Sequence, residues 1–386
     1  MWGIRLLTWG LPWVIVPGVE SPYFDPKTLL FTAGGWGLIA WRLFRLPTLP
    51  ASGWRNPWTL WLTLWVIGVS CWRFQWLFLR RLPGQSYTYN EYVWLAALIV
   101  LMALLLTETL TVYLRSDLSV QLLSQWMCLC AGLVALYGLC QFFGLDQWYV
   151  SAPAGKYGNP VSAGFGNPGY LALYLSLVLP LCFVFSAKRY LSYAFLILIG
   201  IWLTHARYAW AVAGIGLASS FLSRWWTRMR TRERLLAVVA LGVGLVGLAW
   251  IGWGILQTDQ RLPIWMSAWK KLCSSSSHVA PSMTGFGLDS FGLLFDPSIR
   301  WAHNEWIHLL VEVGLIGTSL TALMVAWSVR TGWRMATRSV IISGWFGVWM
   351  GFLASTLVHF PGHIPPLAWV GLCAWAVMER GGTAYG

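Results

Sequence analysis

A histidine at a helix mouth, followed by a second histidine and a carboxylate one helical turn apart, is a pattern that can move a proton. The chain carries it in His303-Asn304-Glu305-Trp306-Ile307-His308-Leu309-Leu310-Val311-Glu312-Val313-Gly314-Leu315. Histidine is the side chain whose ordinary pKa suits proton transfer near neutral pH, so His303 is the candidate general base or the group that positions a hydroxyl. The alternative is a histidine at a helix mouth, hydrogen-bonded to a loop carbonyl. If a helix begins near Asn304, that residue can cap it, and His308 and Glu312 then share a face at i and i+4, close enough to hydrogen-bond. These two read as packing or supporting groups rather than catalysts. His205 stands two residues before Arg207, and either lines the same cavity or packs at an interface. His359 and His363 flank Phe360-Pro361-Gly362 without a third ligand, so no metal site is expected there. The 7 cysteines lie mostly in apolar stretches, and Cys128 and Cys130 lack C-x-x-C spacing. They read as buried thiols, with no disulfide framework; Cys273 is the exception, on an expected outer loop.

The elements that must position these groups are apolar helices. The chain is 58% hydrophobic and 10% charged, with a mean hydropathy of +0.62. That composition predicts an all-α, polytopic integral membrane protein. A span needs about 20 mostly apolar residues. Val93 to Thr111, Leu122 to Phe143, Tyr170 to Ser186, Leu235 to Ile255 and Glu305 to Trp327 qualify outright. Arg5 to Gly18, Leu29 to Phe44, Trp58 to Trp72, Leu191 to Thr204, Tyr208 to Leu222, Ile341 to Leu357 and Pro365 to Val377 qualify if neighbours shelter them. Together they give about twelve transmembrane helices in a single membrane domain over residues 1–386.

Basic residues favour cytoplasmic loops, and 26 Lys and Arg stand against 13 Asp and Glu. With both termini cytoplasmic, Arg42, Arg45, Arg55, Arg115, Lys188, Arg189, the run from Arg224 to Arg234, and Arg330, Arg334 and Arg338 fall inside. Glu20, Asp25, Asp146, Asp259, Asp289 and Asp296 fall outside, whereas Arg80 and Arg81 break the pattern. The net charge of +13 is spread over short loops, so it speaks for a lipid bilayer as partner and against a nucleic acid. Many of the 30 tryptophans fall near expected helix ends, as interfacial belts do. The first apolar segment holds two prolines and no small-residue cleavage site, which predicts a first span rather than a signal peptide. No soluble domain is expected after the last span. Two outer loops are long enough to carry function, 144–167 and the main one, 257–302. The first holds Lys156 and Asn167; the second holds Arg261, Lys270, Lys271, Arg300 and a Gly285-Phe286-Gly287 turn.

Taken in order, four segments resemble the O-antigen ligase and polymerase superfamily of membrane glycosyltransferases. Gly164-Phe165-Gly166-Asn167-Pro168-Gly169-Tyr170-Leu171-Ala172 is similar to the family's FGNPN-Y-LA, with Gly169 in place of the second Asn. Thr204-His205-Ala206-Arg207-Tyr208-Ala209-Trp210 resembles its T-x-S-R-G hairpin, with Ala206 and Tyr208 in place of Ser and Gly. Arg261, Trp265 and Ala268, then Gly285-Phe286-Gly287 with Ser290-Phe291, are similar to R-x-x-x-W-x-x-A followed by G-x-G-x-x-S-F. His303, Asn304, Gly314 and Thr318 fit H-N-x9-G-x3-T. The likeness runs over roughly residues 140 to 330, with a fainter one at Phe24-Asp25-Pro26-Lys27.

The resemblance implies a GT-C-like architecture in the bacterial inner membrane, with the active site facing the periplasm. It implies inverting transfer of a glycan from a polyprenyl-diphosphate carrier to an acceptor hydroxyl, without metal or cofactor. A diphosphate leaving group without a divalent cation needs arginine, whose planar fork matches phosphate oxygens. Arg207 and Arg261 take that part, and His303 takes the acceptor proton. Asn304, Lys156, Asn167, Lys270 and Arg300 are the candidate substrate contacts, though each basic loop residue is equally a solvated charge. The acceptor is open: a glycolipid for a ligase, a growing glycan for a polymerase, or a protein hydroxyl for an O-oligosaccharyltransferase. From another class, a transporter or flippase fits the spans alone, and a non-catalytic membrane subunit fits the changed residues beside Arg207.

Overall fold

The computed structural model describes residues 2–16, 25–45, 58–59, 61–66, 68, 88–146, 161–234, 261–274, 281–288, 290–291 and 302–380. Among the described residues the chain is helical, without a strand. The helices are α1 (Trp2–Trp13), α2 (Asp25–Arg45), α3 (Thr88–Tyr113), α4 (Asp117–Phe142), α5 (Pro168–Cys182), α6 (Lys188–Leu203), α7 (Arg207–Trp225), α8 (Arg261–Ser274), α9 (Glu305–Ala336), α10 (Val340–Thr356) and α11 (Pro365–Glu379). Local chemistry sets several of their starts. The side chains of Ser116, Asn167, Asn304 and Ser339 each accept a first-turn amide, at the heads of α4, α5, α9 and α10. Proline stands in the first turn of α5 and α11, where its missing N–H costs nothing.

Each expected span that lies within the described residues coincides with a helix. Trp58 to Trp72 is described only in part, and Leu235 to Ile255 lies outside the described residues. Among the described residues two helices, α4 and α9, are long and apolar enough to cross a membrane. Leu98–Tyr113 within α3, and α5 and α10, are apolar but shorter. The count of about twelve spans thus rests on sequence pattern, not on helix length.

At the centre lies α5, apolar all round, with every side chain from Leu171 to Cys182 buried. Helices α4, α6, α7 and α10 surround it. Helices α7 and α10 touch through Gly216 and Gly347, where a Cβ on either residue would press on the other's backbone. Buried indoles hold the interior together: Trp345 donates to Ser124 Oγ at 2.8 Å, Trp349 to Ser328 Oγ at 3.1 Å and Trp369 to Thr8 Oγ1 at 3.1 Å. These tryptophans are polar glue inside the bundle rather than belt residues; Trp2, Trp41, Trp61, Trp202, Trp210, Trp225, Trp269 and Trp327 are exposed.

The turns between described helices collect at two ends. At one end, Lys27 Nζ donates to the Val14 carbonyl and joins α1 to α2. There Gly164 meets Pro12, Tyr170 meets His359, and Asn304 meets Leu357. At the other end Arg380 reaches the Leu114 carbonyl and Asp117, and Trp226 meets Trp333. This second end holds Arg42, Arg45, Arg115, Lys188, Arg189, Arg224, Arg228, Arg334 and Arg338, at or beside helix ends.

Candidate functional site

His303 stands just before α9 with a left-handed backbone, φ 52°. Behind it Asn304 fixes the helix start. Its Oδ1 accepts from Trp306 N at 3.0 Å and Ile307 N at 3.1 Å, while its Nδ2 donates to the Leu357 carbonyl at 2.8 Å. One side chain therefore caps α9 and ties it to the end of α10. In front, Ala302 accepts from Trp265 Nε1 at 2.7 Å, which anchors the chain to α8. His303 is held from both sides, and its ring lies edge-on to His359 and Phe360, at 5.8 and 5.1 Å between centroids.

His359 is the hub that sequence reasoning missed. Its buried ring meets Tyr170 at 5.3 Å, Tyr208 at 5.8 Å and Phe360 at 4.6 Å. Its Nδ1 accepts from the Phe360 amide at 3.0 Å, so a neutral His359 carries its proton on Nε2. Through this ring the first, second and fourth sequence segments are joined, by Tyr170, Tyr208 and His303. The available signal was weak: two histidines around Pro-Gly in a turn expected on the same side as His303. His363 lies in the 3-10 turn Pro361–His363, and its Nε2 is 3.3 Å from Glu305 Oε2. Glu305 Oε1 also accepts from the Gly362 amide at 2.9 Å.

His308 and Glu312 do pair as their spacing predicts, Nε2 to Oε1 at 3.1 Å, both side chains buried. His308 also stacks on Phe291 at 5.0 Å and meets His363 at 5.0 Å. A row of carboxylate, imidazole, imidazole and carboxylate thus links Glu305, His363, His308 and Glu312 under the helix mouth. Among the described residues no group of three histidine, cysteine or carboxylate side chains has the arrangement of a metal site.

Helix α9 breaks at Gly314, whose φ of 69° and ψ of −173° belong to a region open essentially to glycine alone. A break frees carbonyls that the next turn would have used, and buried carbonyls need donors. All three are satisfied from elsewhere. Val311 O accepts from Phe286 N at 2.8 Å, Glu312 O from Gly287 N at 2.9 Å, and Val313 O from Trp65 Nε1 at 3.0 Å. The Gly285-Phe286-Gly287 turn is therefore a clamp on α9. Its amides at 286 and 287 are engaged there, so neither is offered to a phosphate. Ala268, Leu272, Phe291, Ala302 and Val311 form a small separate core beneath it.

Arg207 is exposed and is the first residue of α7; Arg261 is the first residue of α8, with its side chain outside the described part. Neither helix has an acidic residue in its first turn. A cation at a helix N-terminus opposes the dipole, at about 0.3–1 kcal/mol, so both helix ends suit an anion. The departures from pattern near Arg207 have a spatial explanation. A Cβ on Gly169 would overlap the Tyr208 hydroxyl, so the space left by one residue is filled by the other. Asn167 caps α5, its Oδ1 accepting from Gly169 N at 2.7 Å. Lys270 is exposed on α8, while Lys156 and Arg300 lie outside the described residues. Four of the cysteines, Cys128, Cys130, Cys182 and Cys373, are buried free thiols; Cys273 is exposed. The chain matches no family model and no curated protein.

Proposed function

We propose that this chain is a multi-pass membrane enzyme of the bacterial inner membrane that moves a glycan from a polyprenyl-diphosphate carrier to an acceptor hydroxyl at the outer face. The membrane part is supported by α4 and α9, by apolar side chains exposed on helix flanks, such as Leu133, Leu136, Phe195, Phe221 and Leu323, and by the arginines gathered at the end opposite the candidate site. About twelve spans in a GT-C-like arrangement complete the reading.

One observation carries the choice of site. Among the described residues, three that are not glycine have left-handed backbone: Ala163, His205 and His303. Each lies in or beside one of the four segments, and all lie at one end of the bundle. Such strain costs about 1–3 kcal/mol per residue and collects at functional sites. In the reaction, the acceptor O–H gives its proton to the imidazole of His303 while its oxygen attacks the anomeric carbon. The bond from that carbon to the diphosphate breaks, and its electron pair leaves with the diphosphate, which Arg207 and Arg261 hold at two positive helix ends.

The test is purified protein supplied with undecaprenyl-diphosphate glycan, with release of the diphosphate carrier as readout. His303→Asn is the clean variant, because asparagine tolerates a positive φ yet cannot take the proton. It is expected to lose transfer by about 100-fold or more while remaining folded. Absence of turnover with glycolipid, glycan and protein acceptors alike would refute the enzyme reading. Full function of His303→Asn and Arg207→Ala in cells would mark a non-catalytic subunit.

A further inference from the structure

At the basic end, opposite the candidate site, a cavity of about 160 Å³ opens between the end of α7 and the turn from α9 to α10. Arg224, Arg228 and Arg338 line it, together with Thr227, Thr337 and Ser339, and no acidic side chain does. Three arginines beside one small space make it positive, which favours an anion there. The walls are built by packing rather than by loose loops. Arg224 Nη1 donates to the Phe183 carbonyl at 3.4 Å, and Arg228 Cζ lies over the Trp225 ring, 5.5 Å from its centroid. The Gly216 and Gly347 contact sets the spacing of α7 and α10, and Trp226 against Trp333 at 5.3 Å sets that of α7 and α9.

The start of α10 adds its own field. Val340, its first residue, lines the cavity, and the first turn of this 17-residue helix contains no acidic side chain. Arginines, hydroxyls and a helix N-terminus capped by the neutral Ser339 meet at one space, which is the chemistry of a phosphate site. The geometry points to a binding site for a phosphate-bearing anion between α7, α9 and α10, filled by the headgroup of an anionic lipid of the adjacent leaflet. A basic pocket between helices at the cytoplasmic side suits such headgroups. This rests on the membrane part of the proposal above and not on glycosyl transfer.

The full-length protein, extracted in detergent, would be titrated with phosphatidylglycerol, phosphatidylcholine and inorganic phosphate and read by native mass spectrometry. Phosphatidylglycerol should be retained in preference to phosphatidylcholine. Each of Arg228→Gln and Arg338→Gln, both exposed and removable without touching the core, should lower retention about fivefold. Arg334→Gln, at the same end but not lining the cavity, should change it less than about twofold. Displacement of lipid by inorganic phosphate, lost in the same two variants, would support the same site with a soluble phosphate as its occupant. Equal retention of both lipids without phosphate competition, or an equal loss in Arg334→Gln, would overturn the inference. The membrane reading fails separately: recovery of the protein in solution without detergent would sink it and leave phosphate binding to be read on its own.

Discussion

Replacing Gly314 by alanine puts a side chain where α9 breaks, and two physical outcomes compete. If the break is kept, alanine must hold φ 69° and ψ −173°, a strain of about 1–3 kcal/mol. Its Cβ would also overlap the backbone of Met283 and Gly285, which cannot swing aside as a side-chain tip can. Overpacking adds about 1–3 kcal/mol, for a total of about 2–6 kcal/mol. If α9 straightens instead, alanine gains about 1 kcal/mol of helix propensity. The helix then reclaims the carbonyls of Val311 and Glu312, and the amides of Phe286 and Gly287 lose partners now held at 2.8 and 2.9 Å. The Trp65 indole likewise loses Val313 O, so three donors at about 1–3 kcal/mol each, less that gain, put this route at about 2–8 kcal/mol, no cheaper. The variant is therefore expected to lose about 2 kcal/mol or more. Thermal unfolding in detergent, followed by tryptophan fluorescence, should shift downward by about 4 °C or more. Hydrogen exchange across residues 281–291 then separates the routes, since straightening exposes the 286 and 287 amides and strain does not. An unfolding midpoint within about 1 °C of the parent, with unchanged exchange, would refute the account of the break.

Other expectations follow from single contacts. Gly169→Ala should destabilise by about 1–3 kcal/mol, less the helix-propensity gain of up to about 1 kcal/mol, and Tyr208→Phe should relieve it by removing the hydroxyl in the way. A double-mutant cycle on unfolding midpoints measures that coupling, and a value below about 0.5 kcal/mol would show that the two positions are independent. Trp65→Phe keeps the ring but removes the donor to Val313 O, so a loss of about 1–3 kcal/mol is expected by thermal unfolding. Asn304→Ala should cost about 1–2 kcal/mol through the lost cap, and Asn304→Ser should restore most of it without the Leu357 contact. In that pair, transfer activity that tracks the Leu357 contact rather than stability would show that Asn304 aims His303.

Features that depend on near neighbours in the chain were legible from it. Helix positions followed from apolar stretches, the cap at Asn304 from a side chain that bonds its own next turn, and the pairing of His308 with Glu312 from one turn of helix. Left-handed backbone at His303 had no such signal, because it arises from anchors at Trp265 and Leu357 that lie far away in sequence. The tryptophans divide for a related reason. An indole near a helix end looks the same in sequence whether it faces lipid or, like Trp345, finds Ser124 on another helix.

By itself the sequence determined an all-helical chain, where most of its helices begin, and which polar groups crowd one end of it. Apolar periodicity and capping are local and need no partner. Only the tertiary structure decided that His359 joins three distant segments, that Tyr208 fills the space beside Gly169, and that Phe286, Gly287 and Trp65 serve the carbonyls freed at Gly314. Each of those is a meeting of groups remote in sequence, and packing alone selects such a meeting from the many that composition allows.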